Sequence, residues 1–153
     1  MHKIQFKTTI KAPAQKVYET MLGLQDKATY EAWTALFNPT SSYEGNWEAG
    51  TKMYFIGVDD QGKRAGMISE IADHRPAEFV SIRHIGMLEG DTEILSGPQV
   101  EPWAGSLENY SFQEENGHTT VTVEMDVDEA YMDYFNGTWP KALETLKSLA
   151  EQE

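Results

Sequence analysis

The 153-residue chain is 40 % hydrophobic and 24 % charged, proportions of an ordinary folded domain rather than of a disordered segment. It contains no cysteine and carries a formal net charge of −13, which excludes disulfides and thiolate metal sites and disfavours phosphate backbones and anionic membrane surfaces. The acidity is lopsided: residues 1–88 hold ten acidic and ten basic side chains, whereas residues 89–153 hold fifteen acidic side chains against Lys141 and Lys147. Such an excess serves solubility first, and it also offers an acidic surface on which a basic protein partner could dock.

At this length one domain over residues 1–153 is expected, burying roughly two-thirds of the surface its unfolded chain exposes. Residues 3–11 alternate strictly, with Ile4, Phe6, Thr8 and Ile10 on one side and lysines or polar residues on the other, which predicts a half-buried strand. The same alternation is unlike a signal peptide, and no apolar run is long enough to span a bilayer, so a cytoplasmic protein is expected. Ala12-Pro13 ends the strand, and from Pro13 the period becomes helical, with Ala14, Val17, Tyr18, Met21 and Leu22 on one stripe as far as Gly23. Asp26 is placed to cap a second short helix carrying Tyr30, Trp33 and Phe37, which Asn38-Pro39 stops.

Strands are predicted over 51–58 and 64–73, joined through DDQG, and over 79–87. Two more, 107–113 and 119–127, flank Asn116-Gly117, the strongest hairpin signal in the chain. A three-residue loop in the first hairpin sets Lys52 opposite Glu70 as a cross-strand ion pair, with Met53, Phe55, Met67 and Ile71 facing inward, whereas a one-residue slip turns Glu70 inward as a partner for His84. A sheet with one dry face needs a cover. From Met132 the stripe Phe135, Trp139, Ala142, Leu143, Leu146, Leu149 and Ala150 has helical spacing. Pro140 predicts a kink or break near Asn136-Gly137. The same positions also fit fewer than three heptads, so a coiled coil is the rival reading.

The order of these elements resembles the helix-grip fold of the START-like, or SRPBCC, superfamily. Ile10-Lys11-Ala12-Pro13-Ala14-Gln15-Lys16-Val17-Tyr18 is similar to its opening motif, and Gly66-Met67-Ile68-Ser69-Glu70-Ile71 to its central strand. Trp139-Pro140-Lys141-Ala142-Leu143 through Leu146-Lys147 resembles the closing helix of the branch named for the activator of the heat-shock chaperone ATPase. The resemblance implies an α+β fold: a curved antiparallel sheet wrapped around a long C-terminal helix, with two short helices after the first strand. It implies a pocket between helix and sheet, but no particular reaction, since the superfamily includes carriers, polyketide cyclases and co-chaperone domains.

Trp33, Phe37, Phe55, Tyr110, Phe112, Phe135 and Trp139 are the large residues expected near such a pocket, with Met53, Met67, Met125 and Met132 as adaptable fillers. For any single one of them, packing into a solid core is the stronger reading, because apolar periodicity is first a core signal. Residues 86–106 form a connection of about 20 residues with four glycines, two prolines and Trp103, a length that suggests a lid, with Trp103 as its plug, or an Ω-loop over a dry core. His84 shares the parity of Val80 and Ile82 and could orient a ligand or move a proton if that side faces inward; if the parity is reversed, Arg83 is inside and could grip a carboxylate.

His2, His74, His84 and His118 have no metal-ligand spacing, and no dinucleotide, phosphate-loop or nucleophile-elbow motif occurs, so neither metal nor cofactor is expected. The expected function is a small cytoplasmic module that encloses an apolar or aromatic small molecule. The alternatives are a cyclase-like or aromatase-like enzyme acting through His84 or Arg83, and a co-chaperone-like domain that binds a protein through its acidic C-terminal surface. In that co-chaperone branch the domain works beside an N-terminal one, for which 153 residues leave no room.

Overall fold

In the computed structural model, which describes residues 2–152, the first and last strands lie side by side. β1 (His2–Ile10) pairs antiparallel with β8 (His118–Val127), setting Ile4 opposite Met125, Phe6 opposite Val123 and Thr8 opposite Val121. The sheet continues through β7 (Leu107–Glu115), β5 (Phe79–Glu89), β4 (Arg64–Arg75) and β3 (Lys52–Val58) to β2 (Ser42–Glu44), and β6 (Thr92–Ile94) adds to β5. All of these pairings are antiparallel. The inward residues of β8, Val121, Val123, Met125 and Val127, are all buried. Their polar neighbours face the other way, as the period of two requires.

Two short helices fill the crossover from β1. α1 (Ala14–Leu22) buries Val17, Tyr18, Met21 and Leu22 and stops at Gly23, whose φ of 70° is the left-handed conformation that suits glycine at a helix C-terminus. α2 (Lys27–Thr34) is capped by Asp26, which accepts from the Ala28 N–H at 3.0 Å. It ends three residues before Phe37, because the Phe37 and Asn38 amides both turn back onto the Thr34 carbonyl. α3 (Met132–Ala150) follows a single 3-10 turn, Glu129–Tyr131, and buries Trp139, Ala142, Leu143, Leu146 and Ala150 in the core formed with the sheet, α1 and α2.

The expected break in this last helix does not occur. Pro140 lies inside a continuous α3, on its exposed side beside exposed Asn136 and Gly137, where water satisfies the carbonyl that lacks a proline N–H partner. The helix packs on the sheet rather than pairing as a coiled coil.

β3 and β4 take the expected register, Lys52 opposite Glu70 and Phe55 opposite Met67. The expected ion pair between Lys52 and Glu70 is replaced by two others. Lys52 reaches Glu93 of β6 at 2.6 Å, and Glu70 receives Arg83 at 2.7 Å from the other side. β6 was absent from the sequence reading, and its presence shortens the irregular part of the 86–106 connection to residues 95–106.

Between β4 and β5 the register slips twice. Ile68 pairs with Gly86 and Ser69 with His84, leaving Ile85 as a bulge; Ile71 pairs with Ile82 and Asp73 with Ser81, leaving Ala72 as another. Bulges bend a sheet and re-aim the side chains beside them. Gly66 marks a close approach on the same strand: a Cβ there would lie 2.0 Å from the Phe55 carbonyl oxygen and 2.8 Å from the Ile56 Cα. Gly66→Ala is therefore expected to force β3 and β4 apart and to destabilise the protein by about 1–3 kcal/mol, the usual cost of overpacking. Denaturant unfolding checks this, and an unchanged midpoint would show that the strands have slack.

Candidate functional site

The curved sheet and α3 do not meet everywhere. Between them lies a cavity of about 800 Å³, within the range of small-molecule sites. Its deep wall is made by buried Tyr30 and Trp33 from α2, Ile82 from β5, Tyr110 from β7, Met125 and Val127 from β8, and Trp139 from α3. Its rim is formed by exposed Gln99, Pro102, Asp128 and Tyr131. A smaller side pocket of about 260 Å³ shares Tyr30, Ser41, Phe55 and Gly66 with it.

Most of the residues singled out from sequence line this space: Trp33, Phe37, Phe55, Met67, His84, Trp103, Tyr110, Phe135 and Trp139. Two do not. Phe112 lies one inward position further along β7 than Tyr110 and packs edge-on against Tyr18 at 5.8 Å, beyond the cavity. Met132, at the first turn of α3, packs against the core instead. Trp139 joins the elements, stacked on Phe6 at 6.2 Å and edge-on to Phe37 at 5.0 Å, with Trp33 at 5.6 Å.

Trp103 lines the cavity from the 95–106 segment. This segment is ordered by its own backbone: Glu101 N–H bonds to Gly97 C=O, Trp103 N–H and Ala104 N–H bond to Val100 C=O, and the Trp103 indole N–H donates to Gln99 C=O at 2.8 Å. Val100 is fully buried beneath it. Two further backbone bonds, Gly105 N–H to His84 C=O and His84 N–H to Ser106 C=O, tie its end to β5.

The polar floor is a chain of side chains running across three strands. Ser69 Oγ of β4 lies 2.7 Å from His84 Nδ1 of β5; His84 Nε2 lies 3.1 Å from Glu108 Oε1 of β7; and the Tyr110 hydroxyl donates to the other oxygen of Glu108. An ionised carboxylate only accepts, so Nε2 carries a proton toward Glu108. Ser69 Oγ has no other hydrogen-bond partner among the described residues. Ser69 and Glu108 thus hold the His84 ring from its two nitrogens. The Ile85 bulge makes this chain, since it pairs Ser69 with His84.

Burial acts to raise the Glu108 carboxyl, but the His84 hydrogen bond and charge, with the Tyr110 hydroxyl, outweigh it and hold the group below the usual carboxylate range. Burial, with Glu108 adding to it, pushes the Tyr110 phenol well up. Tyr30 is raised for the same two reasons. Glu108 was missed in the sequence, although its parity with Tyr110 and Phe112 marks it as inward. Arg83, the alternative to His84, points to the outer face and holds Glu70 there.

Ser69 is fully buried and does not line the cavity, so the Ser–His–Glu order here is a positioning chain with no reachable nucleophile. His74 is likewise structural, with Nδ1 donating to Trp47 C=O at 2.6 Å and Nε2 taking the Tyr18 hydroxyl.

Sheet, crossover helices and covering helix together define a helix-grip fold. The solution structure of the Aha1 dimer from Colwellia psychrerythraea is similar over 99 % of this chain and 97 % of its own, with a TM-score of 0.70 at 19 % identity. Protein NE0264 from Nitrosomonas europaea matches over 98 % and 94 % with a TM-score of 0.72 at 14 % identity. DynU16, a protein in the dynemicin biosynthetic locus, matches over 98 % of this chain and 47 % of its own, with a TM-score of 0.68 at 13 % identity. No protein-family model and no curated protein matches the chain. Likeness at these identities extends to the fold.

The titration behaviour gives a prediction with a definite sign. Glu108 keeps its charge in the folded state to lower pH than in the unfolded chain, so its contribution is complete above its ordinary value of 4.5 and is lost as pH falls through the folded value. Glu108→Gln should cost about 1.5–3 kcal/mol at neutral pH, the range for hydrogen bonds to charged groups. It should also flatten the acid limb of stability against pH. Tyr110, raised, contributes in the opposite sense, with stability present below its ordinary value of 10.0 and lost above it. Thermal melts across pH test both, and an acid limb unchanged in Glu108→Gln would remove Glu108 from the account.

Proposed function

We propose that this chain is a small-molecule-binding module that holds an apolar or aromatic compound between the sheet and α3, beneath the 95–106 segment. The observation that carries the reading is the cavity of about 800 Å³ itself, whose deep wall is aromatic while its polar groups are few and convergent. A solid core would bring Trp33, Tyr110 and Trp139 against Met67 and Ile82 without leaving such a volume. The same fold is seen in DynU16, from a biosynthetic locus, where a compartment for an organic molecule is in keeping with the setting.

A second reading has its own support. His84, Glu108 and Tyr110 converge on the cavity as a hydrogen-bonded set, and such a set can relay a proton to or from an enclosed ligand, as a cyclase-like enzyme requires. Binding is the first reading because it needs only the cavity, whereas turnover needs a substrate that presents its acidic C–H or its carbonyl to these groups. The protein-docking alternative rests on the acidic surface alone and is the weakest.

Native and denaturing mass spectra of freshly purified protein test the binding reading. An added mass that is lost on denaturation is expected. Phe135→Ala, a half-buried position on the cavity side of α3, should leave the fold intact and reduce retention of that mass by about ten-fold, as loss of a large apolar contact implies. Equal retention in a folded variant would place the ligand elsewhere.

A further inference from the structure

The cavity is aromatic, and its charge has one sign. Glu108 stands in the floor, and Asp128 and Asp126, the latter on the outward parity of β8, border it at the rim. Among the described residues no lysine or arginine lines it, and His84 is the one basic side chain that does. Even with His84 protonated, three carboxylates leave the lining net negative.

These carboxylates do not form a metal site, since among the described residues no three His, Asp or Glu side chains converge to hold an ion. Asp126 and Asp128 are each engaged by a backbone N–H, from Leu107 at 3.3 Å and from Ala130 at 3.0 Å, and Glu108 is the carboxylate with capacity to spare. Glu108 accepts one bond at each oxygen, from His84 and Tyr110, and a carboxylate offers about four acceptor positions.

Tyr30 supplies an independent observation. It is 7 % exposed and lines the cavity, yet its hydroxyl makes no hydrogen bond among the described residues. Unlike the indole nitrogens of Trp47 and Trp139, it is not sealed off without a partner, so it opens on the cavity and its side pocket. A hydroxyl so placed accepts a donor that enters.

We propose that the cavity selects a compound carrying an amine, bound as the ammonium, on an apolar or aromatic body. The positive group would donate to Glu108 and the Tyr30 hydroxyl while the rings of the wall attract it through their faces. Met67, Met87 and Met125 supply polarizable, adaptable contact for the body. A carboxylate of the same shape would meet Glu108 with only His84, already engaged by Glu108 itself, to offset it. The proposal rests on the binding-module reading and specifies the chemistry of its ligand.

Three probes of one shape separate the two: 1-naphthylmethylamine, 1-methylnaphthalene and 1-naphthylacetate, titrated calorimetrically into the full chain at neutral pH. The amine is expected to bind about ten-fold more tightly than the neutral hydrocarbon, and the carboxylate more weakly than both. Tyr30→Phe, which removes one oxygen and keeps the ring, should lower amine affinity several-fold while leaving the hydrocarbon unchanged. Glu108→Gln should abolish the preference for the amine. Equal binding of all three probes, or an amine preference that survives both substitutions, would overturn the charge selection and leave the binding module standing. Binding of none of them would overturn both.

Discussion

Everything in this structure depends on Trp139. It stands on the one helix that covers the sheet, and its indole is stacked on Phe6 of β1, faces Trp33 of α2 and Phe37 just beyond it, and lies beside Tyr110 of β7. A single ring therefore ties both ends of the chain to the crossover helices. Because so much is fastened at one point, the sheet can curve away from α3 on one side of it without losing cohesion. That gap is the cavity. Beyond it toward the C-terminus, Ala142, Leu143, Leu146 and Ala150 return to ordinary close packing.

The polar floor follows from a second constraint. An inward carboxylate is costly unless it is hydrogen-bonded, and Glu108 is supported by His84 and Tyr110. His84 is in turn held by Ser69, so four side chains on three strands form one network. Such networks are stable only when every member is satisfied. The outer face of the same strands manages its charge differently, with Glu70 bound to Arg83 and Lys52 to Glu93 among groups that remain about half exposed. Those outer pairs contribute little to stability.

The fold was legible because its signals repeat. Alternation over 3–11 and 119–127 and the Asn116-Gly117 turn named the strands, and the stripe from Phe135 to Ala150 named the covering helix. The cavity wall was legible for the same reason, as aromatic residues on inward parity. The floor was only half legible. Glu108 was passed over because the eye follows apolar residues along a strand, although Tyr110 and Phe112 had already marked its side. Ser69 could not be paired with His84 at all, since that pairing depends on a bulge at Ile85 that leaves no trace in the alternation. Phe112 and Met132 show the opposite error: correct parity says that a side chain faces inward, but not whether it meets a void or a neighbour.

The pairing of β1 with β8 has a consequence for how this molecule comes into being. His2 finds its partner at Val127 and Ile10 at Thr119, so the pairing closes a loop that contains all the other strands. Contacts so distant in sequence carry a high entropic cost before they return any stability, and chains rich in them fold slowly. The hairpins β3–β4 and β7–β8 are local and can form first; β1 and α3 must wait for the middle of the sheet. The enclosed space, which needs α2 from one end of the chain and α3 from the other, is thus among the last features to exist, and a compound held there would join a sheet already built.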